Sequence, residues 1–129
     1  MRSPVSRVLL VVIAVALAGC SGGDSPSEPS NPPPVQATTI TITSAGANPL
    51  HVEVALGTRV RFINNDNRPH NMASDPHPIH TDCPVINQVG LLQPGQMRET
   101  GNLVEVRTCG FHDHDNPTIQ TLNGSITTK

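Results

Sequence analysis

The sequence predicts an all-β domain over Thr38–Lys129, an antiparallel Greek-key β-sandwich. Three observations carry this. Apolar and polar residues alternate with period two in several short runs, Gly and Pro turns separate those runs, and no stretch has a helical 3.6 period. The 92 residues from Thr38 onward include 22 Val, Ile, Leu or Phe, enough for a small core.

In chain order, Thr38–Thr43 reads TTITIT, Leu50–Ala55 reads LHVEVA and Arg59–Ile63 reads RVRFI, each a strand with one buried face. Leu56, Gly57 and Thr58 form the turn between the second and third. Val89–Leu92 follows, then a turn at Gln93-Pro94-Gly95-Gln96, then strands at Met97–Thr100, Leu103–Thr108 and Ile119–Thr128, the last interrupted at Gly124. His51 is out of phase with Val52 and Val54 and is expected on the solvent face.

The ends read differently. Arg2 and Arg7, the apolar run Val8–Leu17 and the small residues Ala18 and Gly19 make residues 1–19 a signal peptide, and the run is too short for a transmembrane helix. Leu17-Ala18-Gly19-Cys20 resembles the lipobox of bacterial lipoproteins, which implies an acylated Cys20 and a lipid-anchored protein of the bacterial cell envelope, its domain in the periplasm or extracytoplasmic space. Ser21–Ala37 holds five Pro, four Ser and two Gly in seventeen positions, so residues 20–37 read as an anchored linker and 38–129 as the domain.

Composition excludes several function classes. Eight Lys plus Arg against ten Asp plus Glu, scattered, with two Phe and neither Trp nor Tyr, offer no basic stripe and no stacking platform for nucleic acid. No Ser-His-Asp arrangement, catalytic carboxylate pair or phosphate-binding Gly loop stands out, and the chain is not expected to be an enzyme. The unusual residues are three Cys and six His.

Two segments concentrate them. Asn64–Asp75 reads NNDNRPHNMASD after one strand, and Thr108–His114 reads TCGFHDH after another, both expected as loops at strand ends. Cys109 and His112, with two residues between them, and His70 from the other segment make a Cys-His-His set that suits one copper ion in an electron-transfer site, with zinc as competitor.

Here the sequence resembles the cupredoxins, the plastocyanin and azurin family of blue copper proteins. The resemblance spans most of Thr38–Lys129 and rests on ITIT, PLHVEVALGTRVRFINND, the PHN of Pro69, His70 and Asn71, the C-x-x-H of Cys109 and His112, and the closing NGSIT. It implies His70, Cys109 and His112 as equatorial copper ligands, with Asn71 supplying hydrogen bonds that tie the two ligand loops together. It also implies a one-electron carrier, with Phe111 shielding the metal; Asp113 and Asp115 beside His112 make that rim acidic, suited to a cationic redox partner protein. Three features depart from the family, one being that the stretch from His112 to Gly124 is longer than usual. Position 117 is Pro where an axial Met is expected, leaving the axial place to Leu122, which cannot coordinate, or to Gln120, Asn116 or His114; and Arg107 and Thr108 stand where an aromatic residue usually precedes the copper Cys.

The remaining His and Cys leave alternatives open. Pro76 and Pro78 in DPHPIHTDC favour polyproline geometry, which would put His77 and His80 on one side as a second metal site or leave them as solvated loop residues. His114 is expected to need a curled loop to share an ion with His112. Met72 and Met97 are expected to fill gaps in the core. Cys83 can leave Cys109 free as a ligand or bond to it, since two Cys in an oxidising compartment ordinarily pair. In the bonded case His70, His112 and His114, with His77 or His80, could still form an imidazole-rich copper or zinc site for copper sequestration or delivery, or the sandwich could be metal-free.

Overall fold

A computed structural model describes residues 38–129; the expected signal peptide, Cys20 and linker lie outside the described residues. Nine strands make up the domain: β1 (Thr39–Thr43), β2 (Gly46–Asn48), β3 (His51–Val54), β4 (Arg61–Asn64), β5 (His70–Ser74), β6 (Gly90–Leu92), β7 (Met97–Glu99), β8 (Thr108–Asp113) and β9 (Gly124–Thr128). Short 3-10 turns occupy Pro84–Gln88 and Gln120–Leu122. The strands form a four-stranded sheet, β2-β1-β4-β7, and a five-stranded sheet, β3-β9-β8-β5-β6.

The sheets are mixed rather than purely antiparallel. β1 runs parallel to β4 and β3 parallel to β9. The reason lies in the path: the chain leaves the first sheet for β3 in the second before returning as β4, and this excursion is the crossover that parallel neighbours need.

The core is the alternation made physical. Ile40, Ile42 and Phe62 of one sheet meet Val52, Val54, Met72, Phe111 and Ile126 of the other, all buried. Phe62 and Phe111 pack edge to face with ring centroids 5.2 Å apart; truncating such a ring to Ala costs about 3–5 kcal/mol. Gly124 lets β9 start there, because a Cβ at this position would lie 2.5 Å from the Phe111 ring.

Several expectations differ, among them the first half of the strand expected at Ile119–Thr128, which is a 3-10 turn at Gln120–Leu122. Leu103–Thr108 is not a strand: Leu103 is buried, but Val104 and Val106 are 66% and 71% exposed. Leu103 is pinned to the preceding turn by hydrogen bonds to Gly57 and Thr58, and alternation alone could not tell which face is inside. Met97 is exposed rather than a core filler. Conversely, the PHN and TCGFHDH segments, expected as loops, are strands β5 and β8. Their inward positions carry His70 and Ser74 on β5 and Asp113 on β8, which break the apolar pattern of a buried face.

A Cys83–Cys109 disulfide, Cα–Cα 5.8 Å, joins the segment after β5 to β8. Closing a loop with a sequence separation of 26 contributes about 3–4 kcal/mol in the chain-entropy picture.

Candidate metal centre

β5 and β8 pair antiparallel, with Ala73 opposite His112 and Met72 opposite Asp113. Residues two apart on a strand share a face. His112 on β8 and His114, the first residue of the turn that follows it, therefore share the outer side of the five-stranded sheet, so the strand's own period brings them together, which corrects that expectation. Cys109, Phe111 and Asp113 take the other phase, and Cys109 and Phe111 belong to the core.

The segment that leaves β5 covers the outer face. Residues 77–79 form a turn rather than a polyproline stretch, closed by His80 N–H donating to the Pro76 carbonyl at 2.8 Å. His80 has φ 53°, in the left-handed region where a side chain costs energy. Asn87 secures it: its Nδ2 donates to the His80 carbonyl at 2.9 Å, while its Oδ1 accepts from Ser74 N–H at 2.8 Å.

This fold of the loop brings His77 and His80 over His112 and His114. One ring nitrogen from each of the four lies within 4.8 Å of every other. Ring centroids are 4.8 Å apart for His80 and His114, and 4.9 Å for His77 and His114. His80 Nε2 and His114 Nδ1 face each other at 3.0 Å. Burial pushes the His80 pKa below the usual imidazole value, and the neighbouring His114, His112 and His77 push it the same way against Asp75. That favours the neutral ring, the form that binds metal.

The donor set fits a metal ion. His112 is buried, its Nδ1 lies 2.7 Å from Asp75 Oδ1, and its Nε2 has no hydrogen-bond partner among the described residues. A buried polar atom without a partner is costly, and an imidazole held by a carboxylate on one nitrogen presents the other for coordination. Nitrogens bound to one ion at about 2.0–2.1 Å lie about 3–4 Å apart, so modest side-chain shifts would close the cluster. Four imidazoles suit copper and zinc.

The Cys-His-His triad does not assemble. Cys109 Sγ is bonded to Cys83 and is 1% exposed, so no thiolate is available for a metal, which settles the open pairing of these two Cys in favour of the disulfide. His70 lies on the inner face, with Nδ1 2.9 Å from Asp113 Oδ2 and Nε2 3.0 Å from Asp66 Oδ2. Both its nitrogens are engaged. Burial works against ionisation of Asp113, but hydrogen bonds from His70, Asn116 and the Asn71 and Asp115 amides hold it below the usual carboxylate range; the His70 hydrogen bond does the same for Asp66.

Other expected roles also shift. Asn71 ties β5 to β8 through its main chain, its N–H donating to Asp113 Oδ1 at 3.0 Å and its carbonyl accepting from His114 N–H at 2.7 Å. Phe111 packs in the core instead of shielding a metal. Asp113 is buried, leaving Asp115 exposed. Of the residues proposed for an axial place, Asn116 donates to Asp113 and Leu122 is buried. His51 is on the solvent face, Nδ1 2.8 Å from Ser125 Oγ. Nothing in the sequence pattern marks Asp75, and Asp113 reads there only as a rim residue. The HDH alternation was the usable signal: period two puts both His on one face and the Asp on the other.

No protein-family model matches the chain, and a search of curated proteins returns no match. Solved structures do match in fold. A novel purple cupredoxin from Nitrosopumilus maritimus superposes with TM-score 0.55 at 23% identity, covering 70% of this chain and 98% of that one. Plastocyanin from Dryopteris crassirhizoma gives 0.55 at 17% identity, covering 70% and 99%. Amicyanin from Paracoccus versutus gives 0.56 at 16% identity, covering 75% and 85%. The two-sheet sandwich formed by this chain is thus a cupredoxin-like fold.

Proposed function

We propose that the chain is a copper-binding protein that holds one ion through His77, His80, His112 and His114 and serves copper sequestration or delivery in the bacterial envelope. The observation that carries this reading is the four-imidazole cluster with the orphaned, buried His112 Nε2. Bound copper would supply a Cu(II)/Cu(I) couple. The disulfide withholds the soft thiolate donor that favours Cu(I), and nitrogen donors suit Cu(II), which supports holding the oxidised ion over cycling it. His77, the exposed member, leaves the ion reachable from solvent for exchange. Zinc is the competitor for the same atoms. An acylated Cys20 and the linker to Ala37 would keep the domain near a membrane.

A second reading, one-electron carriage to a redox partner protein, is favoured by the fold shared with plastocyanin and amicyanin. Equilibrium titration with Cu(II), followed by reduction under a Cu(I) chelator, separates the two. Sequestration or delivery predicts one Cu(II) per chain and loss of copper on reduction. Retention through repeated redox cycles would favour the carrier, and absence of Cu(II) binding would contradict both.

A further inference from the structure

The two ring nitrogens of His112 have different surroundings. Asp75 Oδ1 lies 2.7 Å from His112 Nδ1. A carboxylate accepts and does not donate, so the Nδ1 contact places a proton on Nδ1 and leaves Nε2 bare in the neutral ring. Nε2 is buried and has no hydrogen-bond partner among the described residues, in a ring that contributes one nitrogen to the cluster.

The carboxylate reaches this position because residue 110 has no side chain. A Cβ on Gly110 would overlap an Asp75 carboxylate oxygen and lie 2.8 Å from its Cγ. The Asp75 main chain is fixed on both sides: its N–H donates to the Gly110 carbonyl at 3.1 Å, and its carbonyl accepts from Asp82 N–H at 2.8 Å and Ser74 Oγ at 2.9 Å. One residue thus joins the loop carrying His77 and His80 to β8, which carries His112 and leads into His114.

We propose that Asp75 is a positioning residue of the metal site, setting the His112 tautomer and ring orientation, and that Gly110 provides the space it occupies. This rests on the four-imidazole reading. Outer partners of metal-binding His residues of this kind change metal affinity by about 10–100-fold when removed.

The test uses the mature protein in two states. In the metal-free state, nitrogen-15 NMR of the imidazole rings reads the tautomer directly. Wild type is expected to show His112 protonated at Nδ1, Asp75→Ala to lose that preference, and Asp75→Asn, which keeps an acceptor oxygen, to retain most of it. Gly110→Ala is expected to resemble Asp75→Ala. In the loaded state, competition with a chelator should show Cu(II) affinity lower by about 10–100-fold in Asp75→Ala and by less in Asp75→Asn. An unchanged tautomer in Asp75→Ala overturns the proposal, as does a shifted tautomer with unchanged affinity. If Asp75→Ala does not fold, the Asp75→Asn and Gly110→Ala pair decides by the same two readouts. Wild type that binds no Cu(II) would refute the four-imidazole site, while the NMR result would still decide the Asp75 tautomer role separately.

Discussion

Strands β5 and β8 carry a His-Asp cluster on each of their two faces, and the two differ in how many nitrogens the carboxylates occupy. On the inner face, Asp66 and Asp113 take both nitrogens of His70. On the outer face, Asp75 takes one nitrogen of His112 and leaves the other without a partner, in a ring packed beside three more imidazoles. A His clamped on both sides is a structural crosslink; a His clamped on one side is an oriented ligand. The same residue types give opposite chemistry because of the count of acceptors around the ring.

The largest effect expected from breaking this contrast is on the inner face. His70→Ala leaves two carboxylates in the interior without their partner and should lower stability by about 3–5 kcal/mol, read from urea unfolding of the metal-free protein. Cu(II) stoichiometry should stay at one per chain under conditions where the variant is folded. Loss of stoichiometry in a folded His70→Ala would join the two clusters into one site.

Replacing Cys83 and Cys109 together by Ala should cost about 3–4 kcal/mol. It should also weaken Cu(II) binding, because the disulfide fastens the His77 and His80 segment to β8. Unchanged affinity would mean that the hydrogen bonds of Asp75 and Asn87 hold the loop unaided.

On the outer face, His112→Ala should reduce Cu(II) affinity by at least the factor of about 10–100 seen for outer partners, with a smaller effect on stability than His70→Ala. His77→Ala, which removes the exposed ligand, should give the smaller loss of the two. Equal losses would imply that burial of the ring does not matter to the site.

The smallest effect is that of pH on the inner cluster. Asp66 and Asp113 are held below the ordinary carboxylate value of 3.8, so the stability they contribute is complete above that value and is lost as pH falls through their lower folded values. Wild type should lose stability below about pH 4, measured by urea midpoints, and His70→Ala should show a shallower acid limb. A steeper limb in the variant would reverse the assigned role of His70.

The β-sandwich was legible because alternation survives wherever the inward residues are apolar, as in Ile40 and Ile42 or Val52 and Val54. It failed at β5 and β8, whose inward positions include His70, Ser74 and Asp113, and at Leu103–Thr108, where Val104 and Val106 alternate outward. The site was half legible. His112 was found through its spacing from Cys109, and His77, His80 and His114 were seen as further metal candidates. Their convergence depends on a turn at residues 77–79 that no period announces, and on Asp75, whose role appears only once Gly110 lies beside it. The family likeness pulled His70 and Cys109 toward the metal. Asp66 and Asp113 on one side and Cys83 on the other take them away from it.

The most direct measurement of the four-imidazole site is the combined visible and electron paramagnetic resonance spectrum of Cu(II)-loaded mature protein. Coordination by His77, His80, His112 and His114 predicts weak visible absorption and hyperfine coupling to several imidazole nitrogens, at one copper per chain. An intense thiolate-to-copper band would put Cys109 back at the metal and contradict it.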